Sequence, residues 1–120
     1  MQHHCHAITP QGVCQKLVPP KLFMCSTHWY NLTKILQKLV WRYYEPNQEN
    51  TKRFSLEYHM VTEFCKLYVL AKELRKENKF ITVDMMNKFR EFNSRLIERG
   101  CNRDLYQYLV NHYDTEQARL

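Results

Sequence analysis

Glycine and proline are scarce in this 120-residue chain, with glycine only at Gly12 and Gly100 and proline only at Pro10, Pro19, Pro20 and Pro46. All of these breakers except Gly100 fall within the first 46 residues, so the rest is expected to be mostly helix. Long apolar runs are missing as well, and none approaches the ~20 residues that span a bilayer. The opening MQHHCH lacks the basic and apolar blocks of a signal peptide, which leads to the expectation of a reducing cytoplasm.

Catalytic signatures are wanting too. There is no glycine-rich phosphate loop and no Ser-His-Asp or H-E-x-x-H pattern, and the acidic residues are scattered singly. The H-x-E and P-C-x-x-C elements of a zinc deaminase are absent. Cys25 and His28 could be read as a thiol nucleophile with its base, but metal ligation accounts for the same pair and takes in two further cysteines. The expectation is a protein that is not an enzyme. No helix-turn-helix, C2H2 or RNP-type pattern, internal repeat or low-complexity tract is present.

What is present suits one domain over residues 1–120, with 44% apolar and 13% aromatic residues to cover a helical core. The net charge of +6 is unevenly placed. Lys16, Lys21, Lys34, Lys38 and Arg42 face Glu45 alone in residues 1–47, whereas residues 81–120 carry six groups of each sign. The excess therefore accompanies the N-terminal cysteines.

Residues 1–28 show no period of 3.6 or of 2 and cannot bury much apolar surface unaided, as in segments that a metal shapes. Leu32, Ile35, Leu36, Leu39, Val40 and Tyr43 then form an amphipathic stripe with Lys34, Lys38 and Arg42 opposite, ended by Pro46. Asn47 to Arg53 reads as a polar loop. Ser55 is placed to cap a long helix whose face carries Tyr58, Val61, Phe64, Cys65, Tyr68, Ala71 and Leu74. Thr82 is placed to cap a third helix presenting Met86, Phe89, Leu96 and Ile97 and ending at Gly100. A fourth is expected after Asn102, with Leu105, Tyr106, Leu109, Val110 and Tyr113 as its stripe. The fold class is thus mainly α: an N-terminal zinc knuckle over residues 1–30, packed on about four helices over residues 31–120, with 76–120 a possible extension.

The knuckle rests on Cys5, Cys14, Cys25 and His28, spaced C-x8-C-x10-C-x2-H. The two-residue gap in Cys25-Ser26-Thr27-His28 puts two ligands on one turn, and three thiolates with one imidazole complete a tetrahedral zinc site. Spacings of 8 and 10 are not diagnostic, so free thiols with a chance histidine remain the alternative. His3, His4 and His6 are expected in a solvated tail, although His6 could replace Cys5 or His28. Cys65 and Cys101 are read as structural thiols. Trp29 and Tyr30 are expected to pack the knuckle onto the helices, with base stacking as the other role.

Cys5-His6-Ala7, Cys14 with Val18-Pro19-Pro20, Met24-Cys25-Ser26-Thr27-His28-Trp29, and a helix ending in Val40-Trp41-Arg42-Tyr43-Tyr44-Glu45-Pro46-Asn47-Gln48 together resemble small zinc-finger-like proteins of bacteriophages and prophages. The likeness covers about residues 5–75. It implies a phage or mobile-element origin and the same four ligands, and brings no activity with it. Two departures are a longer loop between Cys5 and Cys14, and Glu45-Pro46-Asn47-Gln48 where Arg-Pro-Gly-Gln is usual.

Two functions follow as expectations. One is an accessory protein that binds a host protein or nucleoprotein complex, for instance to inhibit a defence system, using surplus rings and methionines such as Tyr43, Tyr44, Tyr58, Tyr68, Met85, Met86, Tyr106, Tyr108 and Tyr113. The other is a low-specificity DNA- or RNA-binding protein that neutralises phosphates with Lys16, Lys21, Lys34, Lys38 and Arg42. The blander readings are a filled helical core and an ordinary solvated helix face.

Overall fold

The turn residues of the N-terminal segment fold it into two small antiparallel ladders in a computed structural model that describes residues 2–100. Strand β1 (His3–His4) pairs with β4 (Leu17–Val18), His3 opposite Val18. Between them β2 (Ile8–Thr9) and β3 (Gly12–Val13) form a hairpin with Ile8 opposite Val13. The hairpin turns through Pro10-Gln11 into Gly12, whose φ of +114° is a value that L side chains rarely adopt. Thr9 Oγ1 braces the turn by accepting from Gln11 N–H at 3.2 Å and donating to the Gly12 carbonyl at 2.9 Å. Each strand has only two residues, too few for an alternation to register in the sequence. His3 and His4 are strand residues here and so not a free tail, although His4 and His6 are exposed as expected.

Five helices follow among the described residues, three of them long. The single turn α1 (Ser26–Trp29) leads into α2 (Lys34–Tyr43), whose first turn is capped by Thr33 Oγ1 accepting from Leu36 N–H at 3.2 Å. The expected stripe of α2 faces inward: Leu32, Leu36, Leu39 and Val40 are buried, and Ile35 and Tyr43 half-buried. Lys34, Lys38 and Arg42 are exposed opposite them.

The segment expected as a polar loop contains a second single turn, α3 (Gln48–Thr51), flanked by Asn47 and Lys52 with φ of 68° and 59°. Asparagine tolerates this left-handed region better than most residues, which suits Asn47 to the position. Gln48 is buried, and its side-chain oxygen accepts from the Glu45 N–H at 2.9 Å. Four residues carry no helical period, so this turn was not legible.

The central element is α4 (Leu56–Lys76), capped by Ser55 Oγ accepting from Tyr58 N–H at 3.0 Å. It packs against α2, against the β2 hairpin and against α5 (Val83–Glu98). Three neighbours bury more of it than one stripe, and Met60, Thr62 and Val69 join Tyr58, Val61, Phe64, Cys65, Tyr68 and Ala71 in the interior. Phe64 meets Phe89 edge to face, ring centroids 4.8 Å apart, at the seam with α5. On α5 the buried line is Met86, Phe89, Asn93 and Leu96, so Ile97, expected inside, is exposed on the flank. Thr82 Oγ1 caps α5, accepting from Met85 N–H at 3.2 Å, and Gly100 follows its end at φ +96°.

The helix expected after Asn102, and Cys101, lie outside the described residues. The described residues thus hold three long helices and two single turns. No described helix is long and apolar enough to cross a membrane.

Candidate metal centre

The four ligand residues come from three backbone stretches that hydrogen bonds tie together. Cys5 follows β1, and its N–H donates to the Lys16 carbonyl at 2.7 Å. Cys14 follows β3, and its N–H donates to the Ala7 carbonyl at 3.0 Å. The third stretch is joined where His6 N–H donates to the Phe23 carbonyl at 2.7 Å, just before Cys25 at the start of α1 and His28 within it. The hairpin and the Pro19-Pro20 bend thus fold up the long spacings.

The result is a tight cluster. The Sγ atoms of Cys5, Cys14 and Cys25 and a ring nitrogen of His28 all lie within 4.8 Å of one another, close enough to hold a metal ion. His28 Nδ1 is 3.6 Å from Cys5 Sγ and 3.3 Å from Cys25 Sγ. Cys5, Cys25 and His28 are buried, Cys14 is half-buried, and all three cysteines are free thiols. His6 is not in the cluster; its ring packs against His3 with centroids 4.9 Å apart.

The surroundings act on the thiols in opposite directions. Cys5 Sγ accepts backbone N–H groups from Cys25 at 3.1 Å and Ala7 at 3.5 Å, a common way of supporting a buried thiolate. Without a metal, burial pushes the Cys5 thiol up to about 11 despite those donors. Burial also opposes ionisation of Cys25, but the His28 backbone N–H, the neighbouring thiols and Lys16 outweigh it, and its pKa is lowered. Burial lowers the His28 pKa, keeping the imidazole in the neutral form that can ligate. A dication held by three thiolates leaves a local charge of about −1. Lys16 is set against it, its ammonium donating to Thr27 Oγ1 at 3.2 Å.

The knuckle is fastened to the helices by Gln37 Nε2 donating to the Trp29 carbonyl, and by Lys72 Nζ donating to the Asn31 carbonyl, both at 2.9 Å. Ala7, Val18, Phe23 and Met24 carry it into the same core as Leu36, Val61 and Phe64. Trp29 is half-buried between Phe23 and Trp41, but Tyr30 is 76% exposed and does not join the packing expected of it. Cys65 is buried on α4, outside the cluster, and burial raises its pKa. Of the surplus rings, Tyr58 and Tyr68 are buried and Tyr43 and Tyr44 half-buried, while Tyr106, Tyr108 and Tyr113 lie outside the described residues.

One surface feature was not singled out from the sequence. Between the knuckle and α2 lies a mostly apolar cavity of about 230 Å³ walled by Phe23, Trp29, Tyr30, Trp41 and Tyr44. Lys21 lies across it, Nζ 5.6 Å from the Trp41 ring centroid and 5.5 Å from that of Tyr44. The available signal was Trp41, which interrupts the otherwise polar face of Lys34, Lys38 and Arg42. No protein-family model, curated protein or solved structure matches the chain, so the site is read from its own geometry.

Proposed function

We propose that this chain is a non-catalytic accessory protein, stabilised by one structural zinc ion, that binds a host protein or nucleoprotein complex through the surface which that zinc organises. The observation that carries the reading is the closed set of four protein ligands at Cys5, Cys14, Cys25 and His28. Zinc–sulfur bonds of ~2.3 Å and zinc–nitrogen bonds of ~2.0 to 2.1 Å in a tetrahedron put sulfur and nitrogen ~3.5 Å apart. The separations of 3.3 and 3.6 Å to His28 Nδ1 suit that geometry. Four protein ligands leave no coordination position for water or substrate, so the metal's part is to fix the fold.

The adjoining surface supports an anionic partner. Residues 1–44 contain no Asp or Glu, and Lys34, Lys38 and Arg42 stand in the open along α2. The resemblance to phage proteins favours a host complex that handles nucleic acid, with inhibition of a defence system as the outcome of binding. The same exposed cations support a second reading, direct low-specificity contact with DNA or RNA.

Affinity capture from a bacterial host lysate, with and without nuclease, tests the two. A defined protein complex retained after nuclease treatment is the expected result. Capture that disappears with the nucleic acid would leave the second reading, and turnover of a bound small molecule would contradict both.

A further inference from the structure

The cavity beside the knuckle has a composition that a merely adhesive basic face does not need. Its walls are rings, with few polar groups among them. Trp41 is 43% exposed and Tyr30 76% exposed, so neither is spent on the core. Trp29 sets its ring at 69° to Trp41, and Tyr44 sets its own at 72°, which makes a rigid corner of π surfaces. Cations surround this corner. Lys21 crosses its mouth, and on α2 Trp41 projects about 20° around the helix from Lys34 and about 60° from Lys38. Successive cations at 34, 38 and 42 are ~6 Å apart along the axis. Among the described residues none of these four cations is in an ion pair with a carboxylate, although Glu49, which accepts from the Tyr44 hydroxyl at the edge of the corner, is near enough to feel Lys21.

We infer that this pocket receives an unstacked base of a single-stranded nucleic acid, whose phosphates follow Lys21, Lys34, Lys38 and Arg42. The inference rests on the reading that the basic face meets nucleic acid, alone or within a complex. A nucleotide brings a planar ring and a negative charge in every residue, and the surface offers ring faces in one pocket with cations beside it along α2. An acidic peptide would answer the cations but not regularly the rings. Lys21 exchanges its ring contacts for a phosphate on binding and uncovers the Trp41 ring. The walls present faces more than hydrogen-bonding edges, so the pocket tolerates any base and discriminates single strands from duplex, where bases are stacked.

The chain's only two tryptophans, Trp29 and Trp41, both line this cavity, so intrinsic fluorescence reports on it without a label. The test uses the full-length, metal-loaded protein at low salt and two probes, a 20-nucleotide oligothymidylate and an abasic phosphodiester strand of the same length. The oligothymidylate is expected to quench the tryptophan emission, and the abasic strand to bind about 10-fold or more weakly without quenching. Trp41→Ala should bring oligothymidylate binding down towards the abasic level with an unchanged salt slope, since no cation is removed. Tyr30→Ala, at a largely exposed position, gives the same test with little at stake for folding, and is expected to weaken the oligothymidylate selectively. Equal affinity for both strands would overturn the pocket and leave the phosphate-binding face standing. No binding of either strand at low salt would overturn both. Equal binding and quenching by a Glu-Tyr copolymer would overturn the nucleic-acid assignment in favour of an acidic protein.

Discussion

At the scale of single residues, the chain treats its thiols in two opposite ways. Cys25 has its pKa lowered because local donors outweigh its burial, whereas Cys65 has nothing but burial acting on it and is held neutral. Cys25→Ser should therefore abolish metal retention and destabilise the fold by ~3 kcal/mol or more, read from metal content and urea midpoints. Cys65→Ala should keep the metal and cost about 1 kcal/mol. The pH dependence differs too. Because burial raises the Cys65 pKa, its contribution is fully present below the unfolded thiol value of ~8.5 and fades as pH rises above it. The stability gap between wild type and Cys65→Ala should accordingly narrow between pH 8 and pH 10, and a gap that widened would contradict the assignment. Much of this was legible, since the Cys25–His28 gap and the place of Cys65 on an apolar stripe are local facts. The role of Lys16 was not, because its contact with Thr27 exists only after the hairpin has folded.

Among elements, the caps were the clearest signals. Thr33, Ser55 and Thr82 each accept the backbone N–H three residues on, and two of them had been picked out by type and position alone. Replacing Ser55 by alanine should cost ~1 kcal/mol, within the usual 0.5–2 range for such caps, measured by chemical denaturation. No loss of stability would mean that tertiary packing alone holds the start of α4. Elements shorter than a period escaped reading, namely the four strands, α1 and α3. Ile97 was misplaced for a different reason. Its apolar type fits the α5 stripe, but the seam with α4 runs through Met86, Phe89 and Leu96 and admits Asn93 instead.

For the whole molecule, the metal centre and the helices share one buried core, in which Cys5, Ala7 and Met24 from the knuckle join Leu36, Val61 and Phe89 from the helices. A segment with so little apolar surface of its own gains from that support, and a metal ion held by the proposed ligands would add to it. The account's central claim is the metal itself, and its most direct measurement is elemental analysis of protein purified without added zinc. About one zinc per chain is predicted, with chelation lowering the thermal midpoint. A fully folded protein that contains no metal and is indifferent to chelator would contradict the account.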